Sequence, residues 1–110
     1  MAKLGTLPLT GGSGDSYDFE IYPWGTGFNA VAGVYAITKR APAADGNFTH
    51  AVLYVGETGD LSTRFDTHHK AVCFERRGAN CIGVHRETSE DTRLRIEASL
   101  IARQEPPCNG

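Results

Sequence analysis

Apolar and polar side chains alternate along residues 17–22, where tyrosine, phenylalanine and isoleucine are separated by two carboxylates. This period of two is typical of a β-strand with one face in solvent. Three further segments are apolar runs with many small and β-branched residues, as in strands that are buried on both faces. They cover residues 31–38, 51–55 and 81–86. The pattern predicts three core strands and an N-terminal edge strand.

Two other segments show the period of an α-helix. Asp60 is a suitable N-cap for a helix over residues 61–70, in which Leu61 and Phe65 share one side. The Thr-Ser-Glu-Asp segment at 88–91 resembles a capping box and begins a second helix, which ends near residue 104 before two prolines. The elements together predict an α/β chain of the α+β kind, with helices flanking a small sheet.

Length and composition indicate one folded domain. The chain has 110 residues, of which 40% are hydrophobic, and this is enough to bury one core. Residues 16–110 are predicted as that domain, and residues 1–15 as a flexible tail because they end in a glycine-rich stretch. The longest apolar run has eight residues, whereas a spanning helix needs about 20, so no membrane association is expected. No secretory signal is recognisable, and we expect a cytoplasmic location.

The three cysteines are Cys73, Cys81 and Cys108. Their odd number and the lack of a Cys-x-x-Cys pair predict reduced thiols rather than a disulfide framework. The alternative is a zinc site made by Cys73, Cys81 and His85, although these spacings match no common zinc pattern.

Charge is distributed unevenly along the chain. The net charge is −2, but residues 61–86 carry five cationic and two acidic side chains, a local charge of +3. Lys70, Arg76 and Arg77 belong to this segment and are candidates for binding an anionic polymer. The alternative is that they are charges on an exposed turn that only keep the protein in solution.

Several polar residues occupy positions where apolar residues are expected. On a helical wheel Glu97 falls within the apolar stripe of the second helix, so its carboxylate must be paired with an arginine, protonated or bound to a cation. Tyr35 and Tyr54 lie in buried strands, where each hydroxyl needs a partner. They are alternatively ordinary core tyrosines.

Two further polar groups could belong to a site. Arg64 and His68 are four residues apart, a spacing that on a helix suits joint contact with a phosphate, although solvated helix residues show the same spacing. Asn109 follows two prolines, where its amide either folds back onto a buried group or belongs to a disordered terminus.

Taken in order, these residues resemble the GIY-YIG nuclease family. The pattern consists of Gly33-Val34-Tyr35, Tyr54-Val55-Gly56, Arg64 with His68, Glu97 and Asn109, and it covers residues 31–109. The resemblance implies a three-stranded antiparallel sheet flanked by helices. Residues 1–30 match nothing in the motif set. We expect them to form an edge strand, a dimer contact or a wall of the substrate site.

The resemblance also implies roles for the residues. Glu97 would bind one Mg²⁺ or Mn²⁺, and Arg64 would support charge that develops on the phosphate. One of Tyr35 and Tyr54 would position or deprotonate the attacking water, and His68 would relay its proton within its ordinary range of about pH 5 to 8. Asn109 would support the site. Glu57, next to the second motif, departs from the family pattern and adds a negative charge there.

The function expected from the resemblance is a metal-dependent DNA endonuclease or nickase that hydrolyses phosphodiesters by a one-metal in-line mechanism. One alternative is a nucleic-acid-binding module with little turnover. Another is a nuclease toxin or effector that a protein partner restrains. DNA is the expected substrate and RNA is the alternative, while a homodimer and an inhibitory or targeting partner stay open.

Overall fold

The computed structural model describes residues 3–65 and 68–110, which form five strands and two helices of an α+β fold. In chain order the elements are β1 (Gly5–Thr10), β2 (Ser16–Pro23), β3 (Gly33–Pro42), β4 (Phe48–Thr58), α1 (Ala71–Arg77), β5 (Cys81–Arg86) and α2 (Glu90–Gln104). Neither helix is long and apolar enough to cross a membrane, as judged over this part of the chain.

The strands form one antiparallel sheet in the order β1-β2-β5-β3-β4. The three predicted core strands are confirmed, and β5 has the predicted bounds. β3 and β4 extend into the segment expected to be a loop, because Ala41 pairs with Thr49 and Pro42 pairs with Phe48 around a tight turn. The sheet also curls, so that residues of β1, β3 and β4 line one cavity.

The N-terminal segment completes the sheet. Residues 5–10, assigned above to a flexible tail, form β1 and pair along their whole length with β2. β2 is therefore an inner strand and not the predicted edge strand. In β1 the buried side chain of Leu9 joins the core, while Pro8 is tolerated because an edge strand has unpaired backbone groups on one side. The family resemblance implies three strands, whereas the sheet has five.

The predicted helix over residues 61–70 is wrong. Residues 61–65 form turns and bends, residues 66 and 67 lie outside the described part, and α1 begins only at Ala71. The Leu61 N–H is held by the carbonyl of Val31 at 2.9 Å, and the Asp60 carboxylate accepts the N–H of Ser62 at 2.9 Å. These bonds fasten the chain to the start of β3 in a turn, so Asp60 does not cap a helix.

The second predicted helix is confirmed as α2. Ser89 is its N-cap, and the Ser89 hydroxyl accepts the N–H of Thr92 at 3.3 Å. The helix ends at Gln104, two residues before the first proline. Ile96 and Leu100 are buried against the sheet.

The sheet separates two hydrophobic cores. The α2 core lies between the sheet and α2, and the aromatic core lies on the opposite face beneath α1 and the 61–65 segment. Because side chains alternate along a strand, Val34 joins the α2 core and Tyr35 joins the aromatic core. The register of β3 and β4 shifts between Ile37, which pairs with Tyr54, and Thr38, which pairs with Val52. Leu53 of β4 is therefore an extra residue without a partner in β3, and it forms a β-bulge next to Tyr54.

The prediction of reduced cysteines is wrong for two of the three. Cys73 of α1 and Cys108 of the C-terminal segment form a disulfide, while Cys81 is free and buried. The C-terminal segment returns along β4, where the Cys108 N–H bonds the Leu53 carbonyl at 2.8 Å, and this brings the two sulfurs together. Cys73 is thus not available to the alternative zinc site. Disulfides persist in oxidising environments, so the cysteines no longer support a reducing compartment.

Candidate functional site

The two tyrosines of the motif lie on the aromatic face of adjacent strands. Their ring centroids are 6.0 Å apart, and Tyr35 pairs in register with Gly56. A Cβ at Gly56 would lie 2.5 Å from the Tyr35 hydroxyl oxygen, so glycine is needed for the Tyr35 ring to lie across β4. A Cβ at Gly33 would lie 2.8 Å from the carbonyl oxygen of His85. Close contacts therefore explain why both motif positions are occupied by glycine.

His68 holds Tyr35 through a directed hydrogen bond. The Lys70 N–H donates to His68 Nδ1 at 3.0 Å, so Nδ1 is an acceptor and the proton of the neutral ring is on Nε2. His68 Nε2 lies 2.7 Å from the Tyr35 hydroxyl oxygen and donates to it. Burial raises the pKa of Tyr35, and the nearby Tyr54 raises it further. The result is a hydrogen-bonded link from Lys70 through His68 to Tyr35.

The titration of these groups differs from the expectation. Burial lowers the pKa of His68 to about 4, assisted by the positive charges of His69, Arg64 and Lys70. The ring is therefore neutral at neutral pH, and a proton relay that titrates between about pH 5 and 8 does not fit this geometry. Burial also raises the pKa of both Tyr35 and Tyr54, so neither phenol ionises readily.

Arg64 reaches the same region from the 61–65 segment. Its Nη2 donates to the Glu57 carbonyl at 3.0 Å, and its guanidinium carbon lies 5.9 Å from the centre of the Tyr35 ring. Its Nε is buried and has no hydrogen-bond partner among residues 3–65 and 68–110. A buried donor without a partner is costly, and an anion placed there would satisfy it. The predicted helical pairing with His68 is absent, but the Arg64 charge lowers the pKa of His68.

Glu97 is half-buried on α2 and has no cationic partner. No lysine, arginine or histidine of the described residues lies within 4.0 Å of its carboxylate. Burial raises the pKa of Glu97, and the Glu57 carboxylate raises it further, while Arg64 lowers it. The Glu97 charge in turn raises the pKa of Tyr54, which places the two groups within electrostatic range.

The arginine expected as a partner for Glu97 exists but bonds elsewhere. Arg93, one helical turn before Glu97, is 5% exposed, and its Nε lies 3.0 Å from a Glu57 carboxylate oxygen. Its Nη1 donates to the carbonyls of Glu87 and Thr88 at 3.1 and 2.8 Å. Arg93 thus forms its ion pair with Glu57, and no cationic side chain in the described part of the chain forms one with Glu97. The sequence analysis missed Arg93, although it falls in the same stripe of the helical wheel as Glu97.

The carboxylates of Glu97 and Glu57 are suitable ligands for a divalent cation. Mg²⁺ is commonly held by one or two carboxylates, with water and substrate phosphates as its other ligands. Glu97 supplies one unpaired carboxylate, and Glu57 lies close enough to change its pKa. No group of three or more acidic, histidine or cysteine ligands occurs in the part of the chain that is described, so a cage made by the protein alone is not the arrangement here.

Asn109 folds back onto the second motif strand. Its Oδ1 accepts the Val55 N–H and its Nδ2 donates to the Val55 carbonyl, both at 2.9 Å. The amide thus pairs with the outer edge of β4 as a neighbouring strand would. The disulfide at Cys108 anchors this arrangement. Of the two alternatives left open for the C-terminus, the structure shows the ordered one.

The candidate binding cations lie along α1. Lys70 is half-buried at the start of α1, and Arg76 and Arg77 are exposed in its last turn. The opposite side of α1 buries Phe74, whose ring is 4.9 Å from His68 and 5.5 Å from Tyr54. One short helix therefore joins the aromatic core to an exposed basic surface.

Comparisons of this chain with protein-family models, with curated proteins and with solved structures gave no match.

Proposed function

We propose that the protein is a metal-dependent DNA endonuclease or nickase that hydrolyses a phosphodiester bond in line, with one Mg²⁺ or Mn²⁺. The observation that carries the proposal is that the Glu97 carboxylate has no ion pair with a described residue and is within electrostatic range of Arg64. The buried Arg64 Nε has no hydrogen-bond partner in the described ranges 3–65 and 68–110. An acceptor for a cation and a donor for an anion thus lie within electrostatic range of each other. A phosphodiester together with a divalent cation would satisfy both.

Arg64 and Glu97 have complementary tasks in this proposal. Arg64 donates to a non-bridging oxygen and supports the charge of the pentavalent phosphorus, for which a planar guanidinium has suitable geometry. Glu97 holds the cation, which when bound neutralises a phosphate oxygen and stabilises the leaving 3′ oxygen. The water oxygen bonds to phosphorus as the bond to the 3′ oxygen breaks, the water gives up one proton to solvent, and the 3′ oxygen takes up one proton from solvent.

Tyr54 is the tyrosine that meets the attacking water in this proposal. Tyr35 is 1% exposed, whereas Tyr54 is partly exposed on the edge strand. Because the pKa of Tyr54 is raised, its hydroxyl orients the water through hydrogen bonds and does not remove the proton as a phenolate. Tyr35 and the neutral His68 pack against the Tyr54 ring and are then positioning residues for it.

A plasmid-nicking assay tests the proposal. Supercoiled DNA is incubated with the purified protein in Mg²⁺, in Mn²⁺ and in EDTA, and a labelled RNA of matched sequence is tested in parallel. We expect relaxed circles with either cation and none in EDTA. Glu97→Gln should be inactive, and the matched control Glu90→Gln, in the exposed first turn of α2, should be active. Nicking by Glu97→Gln, or nicking in EDTA, would contradict the proposal.

A second candidate function is a nucleic-acid-binding module with little turnover. The observation in its favour is that His68, Tyr35 and Tyr54 all have pKa values shifted toward the neutral form, so none of the three is ready to act as a base near neutral pH. Tight DNA binding without cation-dependent nicking would favour this candidate.

A further inference from the structure

A cleft opens beside the candidate site, between the β2–β3 connection and the 61–65 segment. It has a volume of about 300 Å³ and is walled by the aromatic side chains of Trp24, Phe28 and Phe65. Thr26 and Ser62 add hydroxyl groups to the lining. Two glycines flank Thr26, and one of them, Gly25, has a φ of +91°, so the connection exposes backbone groups at the cleft beside these side chains. The lining therefore combines flat apolar faces with polar edges.

The cleft is continuous with the site through one aromatic ring. Phe65 packs edge-on against Tyr35, with centroids 5.0 Å apart, and lies 5.5 Å from Phe28. Phe65 also directly follows Arg64, the proposed phosphate contact. Arg64 and Phe65 both lie beside the Tyr35 ring, so the cleft borders the proposed phosphate contact.

The lining matches the chemistry of a nucleobase. A base presents two flat π faces, which stack on aromatic rings, and a polar edge, which bonds to backbone groups and hydroxyls. A base within a duplex is covered by its neighbours and by its pairing partner, so only an unpaired or extruded base could enter. Trp24 is 40% exposed at the rim, and its ring packs edge-on against Phe74 with centroids 6.0 Å apart.

We infer that this cleft binds one unpaired nucleobase next to the phosphodiester that is cleaved, so that the protein acts on single-stranded or locally unpaired nucleic acid. This inference rests on the proposed function. It also gives the β2–β3 connection, which lies outside the motif set, a task as a wall of the substrate site.

Trp24 is the only tryptophan of the chain, so its fluorescence reports on the cleft directly. Glu97→Gln protein in EDTA is titrated with a twelve-residue thymidine oligonucleotide, with a duplex of the same length, and with an abasic strand that keeps the phosphates. We expect saturable quenching by the single strand, at least about tenfold weaker quenching by the duplex and none by the abasic strand. Equal quenching by the abasic strand, or no quenching by the single strand, would overturn the inference.

A matched pair of variants separates stacking from general loss of structure. Phe28→Ala should weaken binding of the labelled single strand about tenfold, as measured by fluorescence anisotropy. Phe48→Ala removes an exposed phenylalanine outside the cleft and should bind as the parent does. Equal affinities of the parent and Phe28→Ala would also overturn the inference. Because these experiments need no cleavage, quenching without nicking would contradict only the proposed catalysis, and nicking without quenching would contradict only the base cleft.

Discussion

Val34 and Tyr35 are consecutive residues of β3, yet they belong to cores of different character. Val34 packs in the α2 core with Leu9, Phe19 and Leu100, which contribute only hydrocarbon. Tyr35 packs in the aromatic core, where it bonds His68 and lies near Arg64. The candidate site is therefore built on one face of the sheet, and the other face supports it.

Glu97 links the two faces. It is carried by α2, whose buried apolar residues, Ile96 and Leu100, belong to the α2 core, yet its charge acts on Tyr54 of the aromatic face. The α2 face of the sheet therefore contributes mainly to stability, and the aromatic face carries most of the proposed chemistry. Substitutions on the α2 face should lower stability and preserve activity. Substitutions around Tyr35 and Glu97 should lower activity and preserve stability.

The largest effect on activity is expected for Glu97→Ala. Cleavage should be abolished, because the variant lacks the carboxylate proposed to hold the cation, while the fold is kept. Burial raises the pKa of Glu97 above its ordinary value of 4.5, so the ionised carboxylate costs stability as the pH rises through and above that value. Thermal unfolding near neutral pH should therefore show equal or higher stability. A large loss of stability would instead indicate a structural ion pair.

Ile21→Ala should show the opposite behaviour. Ile21 is 2% exposed in the α2 core, and truncation of such a side chain typically costs about 2–5 kcal/mol. Urea denaturation measures this loss. Nicking per folded molecule should equal that of the parent, and a proportionate loss of turnover in fully folded protein would break the division between the faces.

Arg64→Lys keeps the charge but loses the planar guanidinium. Turnover should fall by about 10²-fold, as for the loss of one transition-state donor, while DNA affinity changes little. Single-turnover kinetics together with a binding titration separate the two quantities. Turnover within a few-fold of the parent would identify Arg64 as a solvated residue, and an equal fall in affinity would identify it as a binding residue only.

The stability contribution of neutral His68 should depend on pH. Because its pKa is lowered from 6.5 to about 4, the unfolded chain binds more protons in this interval, and stability falls as the pH drops from 6.5 toward 4. His68→Gln should flatten this part of the dependence of Tm on pH. Parallel curves for the parent and the variant would show that His68 titrates normally.

The smallest effect is expected from the exposed end of α1. Replacing Arg76 and Arg77 together by alanine should weaken DNA binding for all sequences alike and reduce the slope of log affinity against log salt by about 2, at roughly 0.9 for each lost phosphate contact. Titrations of a labelled duplex across a salt series measure the slope. An unchanged slope would place the DNA elsewhere on the surface.

Local patterns were sufficient for most of the regular elements. β5 and α2 follow from an apolar run and from the Ser89 cap, because strand alternation and helix capping depend on residues that are neighbours in sequence. The same is true of the position of Glu97 within the inward stripe of α2. These features needed no knowledge of what packs against them.

The elements predicted wrongly depend on partners outside their own segment. β1 is a strand because it pairs with β2 across the connection at residues 11–15, and residues 61–65 form turns because the distant Val31 accepts the Leu61 N–H. In both cases hydrogen bonds to another segment outweigh the local preference of the chain.

The tertiary structure alone decided which partner each polar group takes. Arg93 bonds Glu57 rather than Glu97, Asn109 bonds the backbone of Val55, and Cys73 bonds Cys108, 35 residues away. The composition of the chain allows many such pairings, and only the distances in the folded chain select among them. The sequence determined which chemical groups are present, and the folding of α2 onto β4 determined that Arg93 pairs with Glu57 and not with Glu97, because only the folded chain brings Arg93 to 3.0 Å from Glu57.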